Sequence, residues 1–344
     1  MGYCNIILID PAGPLLHCVQ HAQIRRAFCF LRIRIVEHKI FKNIEEQIAL
    51  LSNDKGLIID DVEYAKNCLS ELNYYRLSGY SLTLRKNDHF YKDSKFSDIM
   101  QIYNFDREIK ILLLGYLENV EISLRTHIAY ELGQQDNVSS GTISYMKKDN
   151  YISNCHYNRF METITREISN NRDEAFVKHH QRKYDGVLPI WAMVETLSFG
   201  KSSMLFASLN NDLKKQICDK YYYGIRYTVI ENFLEGLVVL RNICAHHSRL
   251  YNRGLPHKPN FSNWEISYFE KQSYERESIG NKLFFRLLVL IRLSPDRLGI
   301  SNTIINDICN LKEKYPFVDL KHYGFTKNWK NIIDHLVYEY ENNK

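Results

Sequence analysis

A chain of 344 residues that is 45% hydrophobic has enough apolar material for one large core or two modest ones, which excludes a disordered protein. Lys and Arg outnumber Asp and Glu by 45 to 40, giving a formal +5 and a pI near 8.6, a balance that leans towards a polyanionic partner. The eight cysteines are scattered without a Cys-x-x-Cys pair, the start has no basic signal-peptide region, and no stretch reaches the roughly 18 apolar residues of a membrane span, so reduced thiols and a cytoplasmic chain are expected.

Residues 1–40 form an N-terminal extension of unassigned role, in which the run from Phe28 to Val36 alternates like a strand but reads equally as a basic helix. A helical segment over residues 41–100 begins at Asn43, with Ile44, Ile48, Leu50 and Leu51 apolar and Glu45 and Glu46 suited to its positive end. Asp60 and Asp61 offer caps for a second helix carrying Val62, Ala65, Leu69 and Leu72. A main helical domain is expected over residues 101–300 and a C-terminal helical segment over 301–344.

The clearest helix spans Ser97 to Leu132, with Phe105, Ile109, Leu113, Leu117, Leu124 and Ile128 among its apolar positions and Gly133 as its stop. Residues 134–153 are polar and read as a loop, and a charged helix from Tyr157 to Lys183 comes next. Pro189 opens an apolar helix that Gly200 ends, and a longer helix covers Thr228 to Leu250. The run from Lys282 to Leu293 is so apolar that burial on most sides is expected, and Ile300 to Lys314 is the last well-patterned helix. With no repeat and few period-two stretches, the fold class is all-α, a helical bundle with flanking elements at both ends.

Chemistry concentrates in one place. Between Gly236 and Trp264 there is no carboxylate, while Arg241, His246, His247, Arg249, Arg253, His257 and Lys258 all fall inside. Such a run suits phosphate, unless acids elsewhere in space balance it. On a helix Asn242 and His246 share a face at i and i+4, and the long Arg241 side chain reaches the same spot. An imidazole moves a proton near neutrality and a guanidinium offers a permanent forked charge, which together suffice for metal-free attack of an RNA 2′-hydroxyl on its neighbouring phosphate. Arg249, Arg253 and Lys258 are the candidate phosphate contacts. An exposed intrahelical ion pair is the plain reading of Glu121 and Arg125, with a buttress for the catalytic helix as the alternative, and Glu118 is read as a surface acid. The basic stretch Lys178 to Tyr184 reads as a solvated face and Tyr221-Tyr222-Tyr223 as packing.

Four blocks then carry a family resemblance: Asn73-Tyr74-Tyr75-Arg76-Leu77-Ser78-Gly79-Tyr80; Phe105-Asp106-Arg107-Glu108 leading to Glu121-Ile122-Ser123-Leu124-Arg125-Thr126; Leu188-Pro189-Ile190-Trp191 with Leu197-Ser198-Phe199-Gly200; and Leu240-Arg241-Asn242-Ile243-Cys244-Ala245-His246-His247-Ser248-Arg249-Leu250. A tail block, Gly324 to Trp329, also fits. Through these the sequence resembles the abortive-infection phage-resistance proteins of the AbiD/AbiF type, over about residues 43–330. The resemblance implies a HEPN-type helical bundle and an endoribonuclease motif, Arg-x4–6-His, onto which Arg241, Asn242 and His246 map, with His247 as the second histidine. It also implies action as a toxin and a homodimer that brings two motifs together, while the sequence leaves open a small non-coding RNA or antitoxin as a further partner. No cofactor is expected. A non-catalytic RNA-binding or sensing module is the competing reading. A nucleotidyl-transfer toxin is disfavoured by the absence of Gly-Ser followed by paired aspartates, and no P-loop or Rossmann fingerprint occurs.

Overall fold

The computed structural model describes residues 40–136 and 143–342. The N-terminal extension, with its Phe28 to Val36 run, and Ser139-Ser140-Gly141 lie outside the described residues. The chain divides into two units, residues 1–43 and 44–344, and the second holds every helix and strand named below.

Helix α1 (Ile44–Ala49) loosens into a π-helical turn, Leu50–Asp54. Helix α2 (Val62–Glu71) is capped by Asp61, which accepts from the Tyr64 N–H at 2.9 Å, while Asp60 accepts from the Ser97 N–H at 3.3 Å. Of the two candidate caps, Asp61 takes the helix and Asp60 reaches across to the next long one. A short helix, α3 (Tyr74–Ser78), leads into a small antiparallel hairpin, β1 (Arg85–Lys86) and β2 (His89–Phe90). Asn87 and Asp88 at its tip are both left-handed, as a two-residue primed turn requires.

The spine is α4 (Phe96–Gly133), 38 residues and about 57 Å long at 1.5 Å per residue. Phe105, Leu117, Leu124, Ile128 and Leu132 are wholly buried along one face. Gly133 does not end the helix through a left-handed turn. It is the last helical residue, and a Cβ there would lie 3.3 Å from Ile190 Cγ2, so its bareness serves close packing on the helix that begins at Ile190.

The charged stretch expected as one helix is two, α5 (Asn154–Asn170) and α6 (Ala175–Lys183). The break falls at Asn171, whose side-chain amide donates to the Glu167 carbonyl at 2.8 Å and competes with the backbone for it. The helix expected after Pro189 is also two pieces: α7 (Ile190–Met193), which runs into a 3-10 turn, and α8 (Phe199–Ser208), separated by extended Leu197. Gly200 sits inside the first turn of α8, where a Cβ would meet Val238 Cγ1 at 3.5 Å, and is therefore a packing glycine.

The remaining helices are α9 (Asn211–Tyr221), α10 (Tyr227–Ala245), α11 (Asn263–Lys271), α12 (Leu283–Leu293), α13 (Arg297–Lys314) and α14 (Trp329–Asn342). Helix α4 packs against α7, α8, α9, α10, α12 and α13, and its principal neighbour is α10. Every residue of α12 except Arg292 is buried, including the charged Arg286. The fold is all-α apart from the hairpin, and no helix among the described residues is long and apolar enough to cross a membrane.

Candidate active site

Helix α10 buries Ile230, Phe233, Leu234, Leu237, Leu240, Ile243 and Cys244, which leaves Arg241 half-buried and Asn242 exposed. The helix stops at Ala245, five residues short of the sequence expectation, in a left-handed cap. The Ser248 N–H donates to the Ile243 carbonyl at 2.9 Å and the His247 N–H to the Cys244 carbonyl at 3.1 Å, with His247 at φ +55°. Glycine usually fills that position, so a histidine there gives little warning of a helix end. His246 stays one turn from Asn242, its N–H donating to the Asn242 carbonyl at 2.9 Å, and its side chain is exposed. His247 leaves the helix, so its relation to Arg241 is no longer set by helical spacing.

Arg241 meets α4. Its Nε lies 3.6 Å from Glu121 Oε2, whose other oxygen accepts from Arg125 Nη2 at 2.5 Å. Arg125 also donates to the Leu197 carbonyl and stands 3.8 Å from Glu195. The Glu121–Arg125 pair is therefore not an exposed surface pair: Glu121 is only 8% exposed, and it bridges two arginines from different helices. These groups, with Glu118, Leu114 and Ile122, line a cleft of about 370 Å³. Asn242 and His246 are not among its lining residues. Glu118 is exposed and makes no ion pair among the described residues.

The loop after the motif is held from behind. Asp106 on α4, with no exposed surface, accepts from the Tyr251 N–H at 2.7 Å, the Leu250 N–H at 3.2 Å, and the Tyr80 and Tyr323 hydroxyls, both at 2.9 Å. Lys110, one turn along, pairs with Asp106 at 3.1 Å and donates to the Ser248 carbonyl at 3.1 Å. Arg76 donates to the His247 carbonyl at 2.5 Å, and Arg249 lies against Gly79, where a Cβ would stand 3.1 Å from its Nε. Tyr80, Asp106 and the tail-block neighbour Tyr323 occur in or beside the quoted sequence blocks, yet nothing local in the sequence signals that they converge.

The predicted phosphate contacts are partly engaged within the fold. Arg249 donates to the Tyr251 carbonyl, Arg253 to the Arg249 carbonyl at 3.4 Å, and Lys258 to the Glu277 carbonyl; of the three only Lys258 is exposed. The carboxylate-free stretch also meets acids in space, with Asp106 at Leu250 and Tyr251, Glu121 at Arg241, and Glu235 at 3.5 Å from His257. Buried Arg286 donates to the Pro256, His257 and Gly280 carbonyls, and burial pushes its guanidinium down to about 10. Burial likewise pushes the Cys244 thiol up to about 12, which makes it a packing residue and no nucleophile. The five described cysteines, Cys68, Cys155, Cys218, Cys244 and Cys309, are free, and among the described residues no group of three or more His, Cys, Asp or Glu gathers in metal-binding geometry.

A family model described as Abi-like protein matches residues 67–252. The chain belongs to the Abi-like family. The match spans the Arg76, Asp106, Glu121–Arg125 and Arg241–His246 segments, and membership points to a role in abortive infection and phage defence. No curated protein and no solved structure matches the chain.

Proposed function

We propose that this Abi-like protein is a metal-independent endoribonuclease of HEPN type that acts in phage defence as a toxin in the cytoplasm. The observation that carries this reading is the Arg241-Asn242-x3-His246 array at the solvent-facing end of α10, with Arg241 paired to Glu121, which also holds Arg125, beside an open cleft. His246 takes the proton of an RNA 2′-hydroxyl as its oxygen attacks the adjacent phosphorus, and the bond to the 5′-oxygen breaks as a second general acid gives that oxygen a proton. Arg241 stabilises the charge on the five-coordinate phosphorus, and Asn242 orients the phosphate or the imidazole. Cleavage is expected to survive EDTA and leave 2′,3′-cyclic phosphate and 5′-hydroxyl ends, as read by end-specific labelling. A magnesium requirement with 3′-hydroxyl products would overturn the mechanism.

The Arg241–His246 motif brings one imidazole, which carries one proton at a time, so a second motif, brought by a homodimer, would protonate the leaving oxygen. Ile111 and Ile122 on α4 are 59% and 48% exposed, and Ile122 lines the Arg241 cleft. A second copy seated on this face by a two-fold axis would bury both. Ile122→Glu is expected to give a monomer by light scattering, with specific activity that rises with concentration or vanishes. A wild-type monomer that cuts at concentration-independent specific activity would remove the dimer.

Two observations favour a second reading, a non-catalytic RNA-binding or sensing module: Glu121 already engages Arg241, and His246 lies outside the cleft that Arg241 lines. RNA retained by the purified protein without any cut would favour it. RNA sequenced from a His246→Ala variant would distinguish a defined small-RNA partner from bulk transcripts.

A further inference from the structure

The segment Asn73 to Tyr80 does two things at once. Leu77 and Tyr80 are buried, and the Asn73 side chain caps α3 by accepting from the Tyr75 N–H at 2.8 Å, so this five-residue helix is anchored at both ends. Its outer side carries Tyr75, 82% exposed, whose ring makes no hydrogen bond or ring contact among the described residues. A lone exposed tyrosine needs no function. What sets this one apart is the next residue, because Arg76 Nη2 holds the carbonyl of His247, the residue after His246. A guanidinium with donors to spare is thereby tethered to the residue after the motif histidine, and an exposed aromatic ring stands next to it in the chain.

We propose that Tyr75 and Arg76 form a binding site for an unpaired RNA base and its phosphate, flanking the phosphate that is cut, a reading that rests on the proposed ribonuclease function. The helix fixes the Tyr75 backbone, and a tyrosine has only two side-chain torsions to lose when a base stacks on its ring. The remaining Arg76 donors reach the phosphate of the stacked nucleotide while one arm stays on the His247 carbonyl. Tyr75 then selects single-stranded over paired RNA, because only an unpaired base can swing out onto the ring.

The experiment uses the full chain carrying His246→Ala, so that RNA is not consumed, and single-stranded RNAs with one 2-aminopurine moved stepwise across the mapped cut. Quenching is expected at one position beside the cut, lost in Tyr75→Ala and kept in Tyr75→Phe. Tyr75→Ala should weaken binding by about five- to a hundredfold, the range of one base stacked on one ring. Unchanged affinity and quenching in Tyr75→Ala, with RNA still bound, would overturn this site alone. Loss of all RNA binding by the His246→Ala protein itself would take the ribonuclease reading with it. If light scattering shows that Tyr75→Ala instead disrupts self-association, Tyr75 is a subunit contact and the proposal falls.

Discussion

His246→Ala is expected to abolish RNA cleavage while leaving RNA affinity near that of the wild type, and Arg241→Ala to abolish cleavage with a measurable loss of affinity. The two differ because the residues do different work. An exposed imidazole at the end of α10 contributes proton transfer, worth about 10²- to 10⁴-fold in rate, and its removal leaves the Arg241 guanidinium in place to hold phosphate. A guanidinium contributes a phosphate contact in the bound state and charge stabilisation in the transition state, so both binding and rate suffer. Neither change should unfold the protein. His246 is exposed, and without Arg241 the Glu121 carboxylate keeps its pair with Arg125 at 2.5 Å. Arg241→Lys should not rescue, because an ammonium cannot present two parallel donors to one phosphate. Single-turnover cleavage and filter binding on one RNA separate the two effects, and a 2′-deoxy substitution at the cut should stop the wild type. Full activity in the Arg241→Ala/His246→Ala double variant would show that the site lies elsewhere.

How far the sequence can be read depends on whether a feature is local. The apolar spacing of α4 and the apolar run of α12, interrupted only by Arg286 and Arg292, announce themselves, since a buried stripe leaves its period in the chain. Interruptions are less legible. Gly133 and Gly200 look like stops but serve helix contacts with Ile190 and Val238, which no local pattern reveals. The end of α10 is hidden by a histidine where a glycine is expected, while the break at Asn171 depends on one side-chain amide reaching a carbonyl. The Ser262-x-x-Glu265 capping box of α11 and the Asn87-Asp88 turn do carry local signals, which a search for apolar period alone misses. In the candidate site, the Arg241-Asn242-x3-His246 spacing is readable, and so is Glu121 to Arg125. That Glu121 faces Arg241, and that a buried aspartate carries the loop behind the motif, are facts of tertiary packing between residues more than a hundred positions apart.

That aspartate gives the largest expected effect on stability. Asp106 accepts from two backbone N–H groups and two phenols and pairs with Lys110, with none of its surface exposed. Burial and the Asp106 charge both push the Tyr80 and Tyr323 hydroxyls up, so the phenols stay protonated and remain donors. Asp106→Ala would strand all of these donors and leave the Lys110 ammonium, itself buried, without its counter-charge. Breaking a buried pair from one side costs about 3–5 kcal/mol, a large share of the roughly 5–15 kcal/mol that holds a typical domain together. Asp106→Asn keeps one acceptor for the Leu250 and Tyr251 N–H groups and loses the charge beside Lys110, so a smaller loss of about 1–3 kcal/mol is expected. Urea unfolding should rank wild type above Asn above Ala. Adding Lys110→Met to Asp106→Ala should recover part of the loss, since the stranded charge then goes too. Because Asp106 holds the loop that comes after His246, the Asn variant should also lose cleavage beyond what its folded fraction explains. Equal unfolding midpoints for wild type and Asp106→Ala would show that the loop is held by other contacts.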